Sequence, residues 1–195
     1  MRRAWQALVL LAAVSTASAD PLGLYVGAGA GESTLRQDSY GIDAHPTGWK
    51  VFVGWHPIPL FGTQLEYVDF GSHSGTSIEP TGATAYSVTS SARAPALFVL
   101  AYPPLPVSWL DLYGKAGAAH LQTRVNGSGG PHCVAGSACP LFVFLVDNNM
   151  TQTRFAYGAG AQFKSGAPAL RLEYERYTAS NGDQSLLSLD LLWNF

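Results

Sequence analysis

A period of two constrains this chain more than any other feature. In 187–195, "LSLDLLWNF", Leu187, Leu189, Leu191, Trp193 and Phe195 take every second position. Ser188, Asp190 and Asn194 stand between them, and only Leu192 interrupts the polar side. In an extended strand, successive side chains face opposite ways, so such a segment has one apolar and one polar face. The pattern recurs. Leu22, Leu24, Val26, Ala28 and Ala30 share a parity in 22–31, as do Trp49, Val51, Val53 and Trp55 in 48–56. Further runs lie at 63–70, 109–121, 151–164, 169–177 and 184–195. An eighth lies within 86–102 and is the least regular, because Pro95 sits inside it and predicts an edge or a bulge. The expected fold is all-β, an eight-stranded antiparallel up-and-down transmembrane β-barrel.

The connections carry the topology. "PIPLF" (57–61), "PPLPVS" (103–108) and "SGAP" (165–168) are short, whereas 32–47, 71–85 and 122–150 are long and polar, with a shorter polar stretch at 178–183. Short and long connections alternate strictly. An outer-membrane barrel has this layout, with tight turns at one end and external loops at the other.

The first residues stand apart from this pattern. Arg2 and Arg3 precede an apolar run from Trp5 to Val14, and Ala17-Ser18-Ala19 precedes Asp20. This is the three-part form of a secretory signal peptide. The expected division is 1–19 as signal peptide, cleaved between Ala19 and Asp20, and 20–195 as barrel domain. A membrane-anchoring helix is the alternative, but it needs about 18 or more apolar residues. Charged residues make up only 12% of the chain, against about 25% in ordinary soluble domains. The net charge of -2 points to no nucleic-acid partner.

Alternation does not say which face is outside. A soluble barrel turns its apolar face inward; a membrane barrel turns it outward. Three features favour the membrane arrangement. The apolar parity carries no charge at mid-strand, at Leu110 and Leu112, at Phe155 to Phe163, and at Leu170, Leu172 and Tyr174. Aromatics gather near the strand ends: Trp55, Phe61, Tyr102, Trp109, Phe163, Trp193 and Phe195 at the short-turn end, and Tyr67, Phe70, Tyr86, Phe155, Tyr174 and Tyr177 toward the other. Such residues form interfacial girdles. Finally, a nine-residue strand extends roughly 30 Å, which tilt reduces to about the 25 Å apolar band. No edge can stay open in hydrocarbon, so the last strand is expected to pair with the first.

With these residues in view, the chain resembles the small eight-stranded OmpA-like surface-antigen barrels. The resemblance lies in "GWKVFVGWHPIP…LEYVDFGS" (48–72), "LYGKAGAAHL" (112–121), "FAYGAGAQF" (155–163) and "LRLEYERY" (170–177). The final strand looks like a bacterial outer-membrane assembly signal, through Leu189, Leu191, Trp193 and the terminal Phe195. The resemblance implies a Gram-negative outer-membrane location, with outer-membrane lipids and lipopolysaccharide as surroundings. It also implies recognition by the β-barrel assembly machinery and periplasmic chaperones. No peptidoglycan-binding domain follows the eighth run, so cell-wall tethering is not expected.

The opposite parity carries Lys50, Glu66, Asp111, Lys115, Arg154, Arg171, Glu173 and Asp190. An eight-stranded barrel is just wide enough for side chains to fill. Charges enclosed there must pair. An interior charge network is therefore expected, with Glu66, Lys115, Arg154, Arg171 and Glu173 near its middle. By resemblance, Glu66, Lys115 and Glu173 stand where the family has charges linked to gating of a narrow, mostly closed channel. The expected interior is nonetheless a stabilising plug that does not conduct, with a narrow gated channel as the alternative.

Two further readings concern the loops. Cys133 and Cys139 lie in the longest one, and export into an oxidising compartment predicts a disulfide between them. His132 beside them makes a poor metal site, and no metal or cofactor is expected. "DFGSHSG" (69–75) offers Asp69, Ser72, His73 and Ser74, the residue types of a lipid-modifying hydrolase. Chain neighbours cannot guarantee the mutual contact that catalysis needs, so the chain is not expected to be an enzyme. The expected role is structural and surface-interacting, in envelope integrity, adhesion or loop-mediated binding through 32–47, 71–85, 122–150 and 178–183.

Overall fold

The computed structural model describes residues 23–37, 42–78, 84–131, 144–180 and 182–195. The segment 1–19 with Ala17, Ala19 and Asp20, and the cysteines Cys133 and Cys139, lie outside the described residues. Nine strands follow in order: β1 Leu24–Gln37, β2 Ile42–Ala44, β3 Thr47–Ile58, β4 Phe61–Ile78, β5 Thr84–Ala101, β6 Leu110–Pro131, β7 Phe144–Lys164, β8 Pro168–Tyr177 and β9 Gln184–Asn194. No described helix is long and apolar enough to cross a membrane.

Eight strands pair antiparallel in sequence order, and β9 returns to β1 to close the barrel. The closing ladder runs from Tyr25↔Asn194 to Thr34↔Ser185, and the Phe195 N–H donates to the Leu24 carbonyl at 2.9 Å. The short β2 pairs only with the upper end of β1, at Leu35 to Gln37. Closure leaves no unpaired edge around the waist, the one sheet arrangement that hydrocarbon tolerates.

Alternation sets the faces. In β8, Leu170 and Leu172 point outward at 50% exposure, and in β9 Leu189 and Leu191 do so at 60%. Arg171, Glu173, Ser188 and Asp190 point into the lumen and are buried. Trp49, Val51, Val53, Trp55, Leu65, Leu97 and Val99 extend the exposed apolar belt around the wall. An apolar surface this continuous marks contact with a membrane or a partner. Trp55, Phe61, Trp109, Phe163 and Trp193 ring its short-turn end. Tyr102, Phe70 and Tyr177 correct the expected girdles. They are buried inside, because their parity and not their nearness to a strand end fixes their direction.

The wall is uneven in height. β4 to β7 have 18, 18, 22 and 21 residues, whereas β3, β8 and β9 have 12, 10 and 11. Much of 71–85 and 122–150, expected as loop, is therefore strand. These stretches are rich in Gly, Ser, Thr and Asn and rise past the belt, so no apolar period marks them. A bulge interrupts β4 between Asp69 and Ser72. Gly71 adopts φ of 78° there, its N–H donates to Asp69 Oδ1 at 2.8 Å, and a Cβ would meet the Thr47 carbonyl oxygen at 2.5 Å. The bulge lies beside the start of β3, where the neighbouring wall ends, and bulges bend and twist a strand. Pro95 is not on an edge. It faces Tyr67 on β4, and the ladder to β6 skips from Arg93↔Gln122 to Ala96↔Ala119, across the proline that has no N–H to donate.

Candidate functional site

The lumen holds the only concentration of chemistry among the described residues that is shielded from water. Strands β3, β4, β6, β8 and β9 each aim charged side chains inward. Lys50, Glu66, Lys115, Arg171, Glu173, Glu175 and Asp190 are all at most 3% exposed. This sets three cations against four carboxylates.

Lys115 is the hub. Its Nζ lies 2.9 Å from Glu66 Oε2 and 2.8 Å from Glu173 Oε1, and it also donates to Glu175. Lys50 Nζ donates to Glu173, lies 2.9 Å from Glu175 Oε1 and 3.2 Å from Asp190 Oδ2. Arg171 is held differently. Its two terminal nitrogens donate to Gln64 Oε1 at 2.9 Å and Gln162 Oε1 at 2.8 Å, and its guanidinium stacks 4.8 Å from the Tyr113 ring. Tyrosines complete the shell. Tyr177 donates to Glu66 Oε1 at 2.7 Å and Glu175 Oε2 at 3.0 Å, Tyr113 donates to Glu173, and Tyr25 donates to Gln64 Oε1 at 2.9 Å.

Apolar side chains close this layer at both ends. Tyr25, Phe52, Ala169 and Leu192 pack together toward the short-turn end. Leu35, Phe70, Leu121 and Leu186 are fully buried toward the other. Leu192, the exception to the polar parity of β9, thus serves as part of the lower plug. Carboxylate oxygens of Glu66, Glu173 and Glu175 lie within 4.8 Å of one another, a spacing a metal ion could bridge. The ammonium groups of Lys115 and Lys50 already lie against them and supply the cationic charge. The arrangement can hold strands together and block the lumen; it offers no water-accessible group for catalysis.

Two expected members stand elsewhere. Asp111 lies at the short-turn mouth, where it accepts from Lys164 Nζ at 2.9 Å, both side chains being about a quarter exposed. Arg154 is exposed and donates from Nε to Gln152 Oε1 at 2.9 Å and also to Ser180. Its parity is inward, but β8 ends at Tyr177, which pairs with Ala156. Above that point Arg154 has no facing wall and reaches into the open. Glu175 was missed despite sharing the parity of Arg171 and Glu173, which was the available signal. Gln64, Gln162 and Tyr113 were missed because neutral polar groups leave no charge mark.

The hydrolase residues do not converge. Asp69 is engaged with the Gly71 N–H, and Ser74 Oγ lies 2.8 Å from Thr89 Oγ1. Ser72 and Ser74 share one face of β4, and His73 points to the other, alongside Ser90 across the ladder. Of the residues expected to form an assembly signal, Leu189, Leu191 and Trp193 face outward, and Phe195 lies half-buried at the closing seam.

Known folds agree with this geometry. The Ail attachment invasion protein of Yersinia pestis, solved with the heparin analogue sucrose octasulfate, superposes with a TM-score of 0.55 at 16% identity over 89% of this chain and 99% of that one. Neisserial surface protein A gives 0.56 at 16% identity, over 89% and 97%. OprG of Pseudomonas aeruginosa gives 0.52 at 10% identity, over 89% and 97%. No functionally curated protein matches the chain in sequence. The model of the outer membrane protein beta-barrel domain matches residues 6–195. With its closed eight-stranded wall, apolar belt and ionic lumen, this chain belongs to the outer membrane protein beta-barrel domain family.

Proposed function

We propose that the protein is a non-enzymatic structural and surface-interaction barrel of the Gram-negative outer membrane, and not a conducting pore. One observation carries this reading: β4 to β7 rise past the apolar belt as a four-stranded, mostly polar wall that also exposes Leu145 on β7, over a lumen that side chains fill. Loops positioned by a rigid scaffold are where binding residues concentrate, and this wall carries its loops clear of the belt. The signal-like segment 1–19 delivers the chain for export. Leu189, Leu191, Trp193 and Phe195 then present the last strand to the assembly machinery.

The test pairs two measurements on the folded barrel. In planar bilayers it should give no stepwise conductance. In nanodiscs it should bind at least one of a panel of extracellular-matrix proteins and heparin-type glycans. Ail, of the same fold, was solved with a heparin analogue, which motivates the glycan arm. Binding should fall when the hairpin β4–β5 is cut back to Ser72↔Ser91 and β6–β7 to Arg124↔Asn149. Conductance steps together with no binding by the intact wall would overturn the reading.

A further inference from the structure

A cleft on the outer surface of the tall wall is not used by the lumen. Its volume is about 170 Å³, and Arg93 and Arg124 dominate it. Arg93 on β5 pairs with Gln122 on β6, and Arg124 lies two residues further along β6 on the same face. Such diagonal neighbours have Cβ atoms about 7–8 Å apart, within joint reach of one tetrahedral anion. Among the described residues neither guanidinium is in an ion pair or hydrogen bond. Asn149 and Thr151 of β7, facing Arg124 and Gln122, add an amide and a hydroxyl. Asp69 opposes Arg93 across the β4–β5 ladder, but its Oδ1 accepts from the Gly71 N–H. The cleft keeps a net positive charge of one.

Its height selects the ligand. Below the cleft, Pro95 and Leu97 follow outward on β5; on β6 and β7 His120 and Thr153, joined by a 3.0 Å hydrogen bond, come first, and Ala118 and Phe155 beneath them begin the apolar belt. Arg93 is two residues above Pro95, about 7 Å along the strand. Headgroups occupy roughly 5–7 Å beyond the hydrocarbon on each side. Arg93 thus stands at headgroup depth, and Arg124, level with Ser91 and two residues further up, lines the same cleft from just above. Below His120, the outward positions of β6 are Ala118, Ala116 and Gly114, a shallow trough. Leu97 and Val99 flank it on one side. Phe155 and Tyr157, whose rings stack 5.8 Å apart, flank it on the other.

We propose that Arg93 and Arg124 bind the phosphate of an outer-leaflet phospholipid or glycolipid, with an acyl chain lying along the β6 trough. Guanidinium groups suit this task because their planar fork matches phosphate oxygens and they stay charged at any physiological pH.

The experiment is native mass spectrometry of the full barrel with diphosphorylated lipid A, the same lipid dephosphorylated, inorganic phosphate and a heparin fragment. The wild type should retain the phosphorylated lipid selectively. Each of Arg93→Gln and Arg124→Gln should weaken retention by roughly tenfold, the loss of one charge-assisted contact. Asp69→Asn should tighten it, and Ala118→Trp should weaken it by filling the trough. Heat-modifiable gel migration confirms that every variant is folded. Equal retention of the dephosphorylated lipid, or unchanged binding by the double Arg93→Gln, Arg124→Gln variant, overturns the proposal. Inorganic phosphate competing as well as the lipid, or arginine-dependent binding of heparin in preference to the lipid, assigns the cleft to a soluble anion and overturns it equally.

Discussion

Lys115→Met removes the cation on which the lumen converges. In the wild type three cations face four carboxylates; in the variant Lys50 and Arg171 face all four. Methionine nearly preserves the side-chain volume, so the change is chiefly electrostatic. Removing one partner of a buried ion pair costs about 3–5 kcal/mol, because the other charge stays buried and unpaired. Here Glu66, Glu173 and Glu175 all lose the same ammonium, and Tyr177 alone cannot replace it. The expected destabilisation is therefore about 5 kcal/mol, the top of that range. Glu175→Gln is the counterpart. It brings three cations to face three carboxylates; its amide oxygen can take over the lysine contacts of Oε1 while its amide N–H donates to the Tyr177 hydroxyl, which still donates to Glu66, so its effect should stay within about 1 kcal/mol.

Urea unfolding of the barrel in lipid vesicles, followed by tryptophan fluorescence, measures both. Trp49, Trp55, Trp109 and Trp193 face outward, so unfolding moves them from lipid to water. Midpoints compare directly if the slope is unchanged. The double variant should recover about 1–3 kcal/mol of the Lys115→Met loss, since contacting residues couple by that much. An unfolding free energy for Lys115→Met within 1 kcal/mol of wild type would refute the reasoning, as would equal damage from Glu175→Gln.

Three further outcomes follow from other parts of the wall. Leu189→Arg places a charge on the outward mid-strand face and should cost about 2–4 kcal/mol, while Leu187→Arg, nearer the rim, should cost less; equal and negligible costs in the same urea assay would place this face outside hydrocarbon. Gly31→Ala adds a Cβ that would press on the Leu187 carbonyl oxygen in the closing seam, so the unfolding free energy in the same assay should fall by about 1–3 kcal/mol or more. Cys133 and Cys139 are expected to be oxidised after export, so intact mass without reductant should lack two hydrogens relative to the reduced protein; two free thiols would argue against the pairing.

How far the sequence could be read depended on what each strand faces. β3, β8 and the lower half of β9 stand between lipid and a packed lumen, so every second residue is forced apolar and the rest polar. Trp49 to Trp55 and Leu170 to Tyr174 show that forcing directly. Above the belt it disappears. Residues 72–78 and 122–131 have headgroups or solvent beyond the sheet, and Ser, Thr, Gly and Asn satisfy a strand there without any period. The same change of surroundings explains Arg154. Parity pointed it inward, but inward has meaning only where a facing strand exists, and β8 stops at Tyr177. Parity itself did not fail at Glu175 or Tyr102; both lie on the inward side by simple counting from Glu173 and Leu100. What counting along one strand cannot supply is register between strands. The convergence of Lys115 on Glu66, Glu173 and Glu175 depends on four ladders, at Glu66↔Ala96, Leu100↔Lys115, Lys115↔Gly158 and Gly160↔Glu173. A shift of one residue in any of these would turn an entire strand over and bring charge to lipid. The belt therefore fixes the register, and the register in turn assembles the network. The ionic lumen is a consequence of satisfying the membrane on the other face.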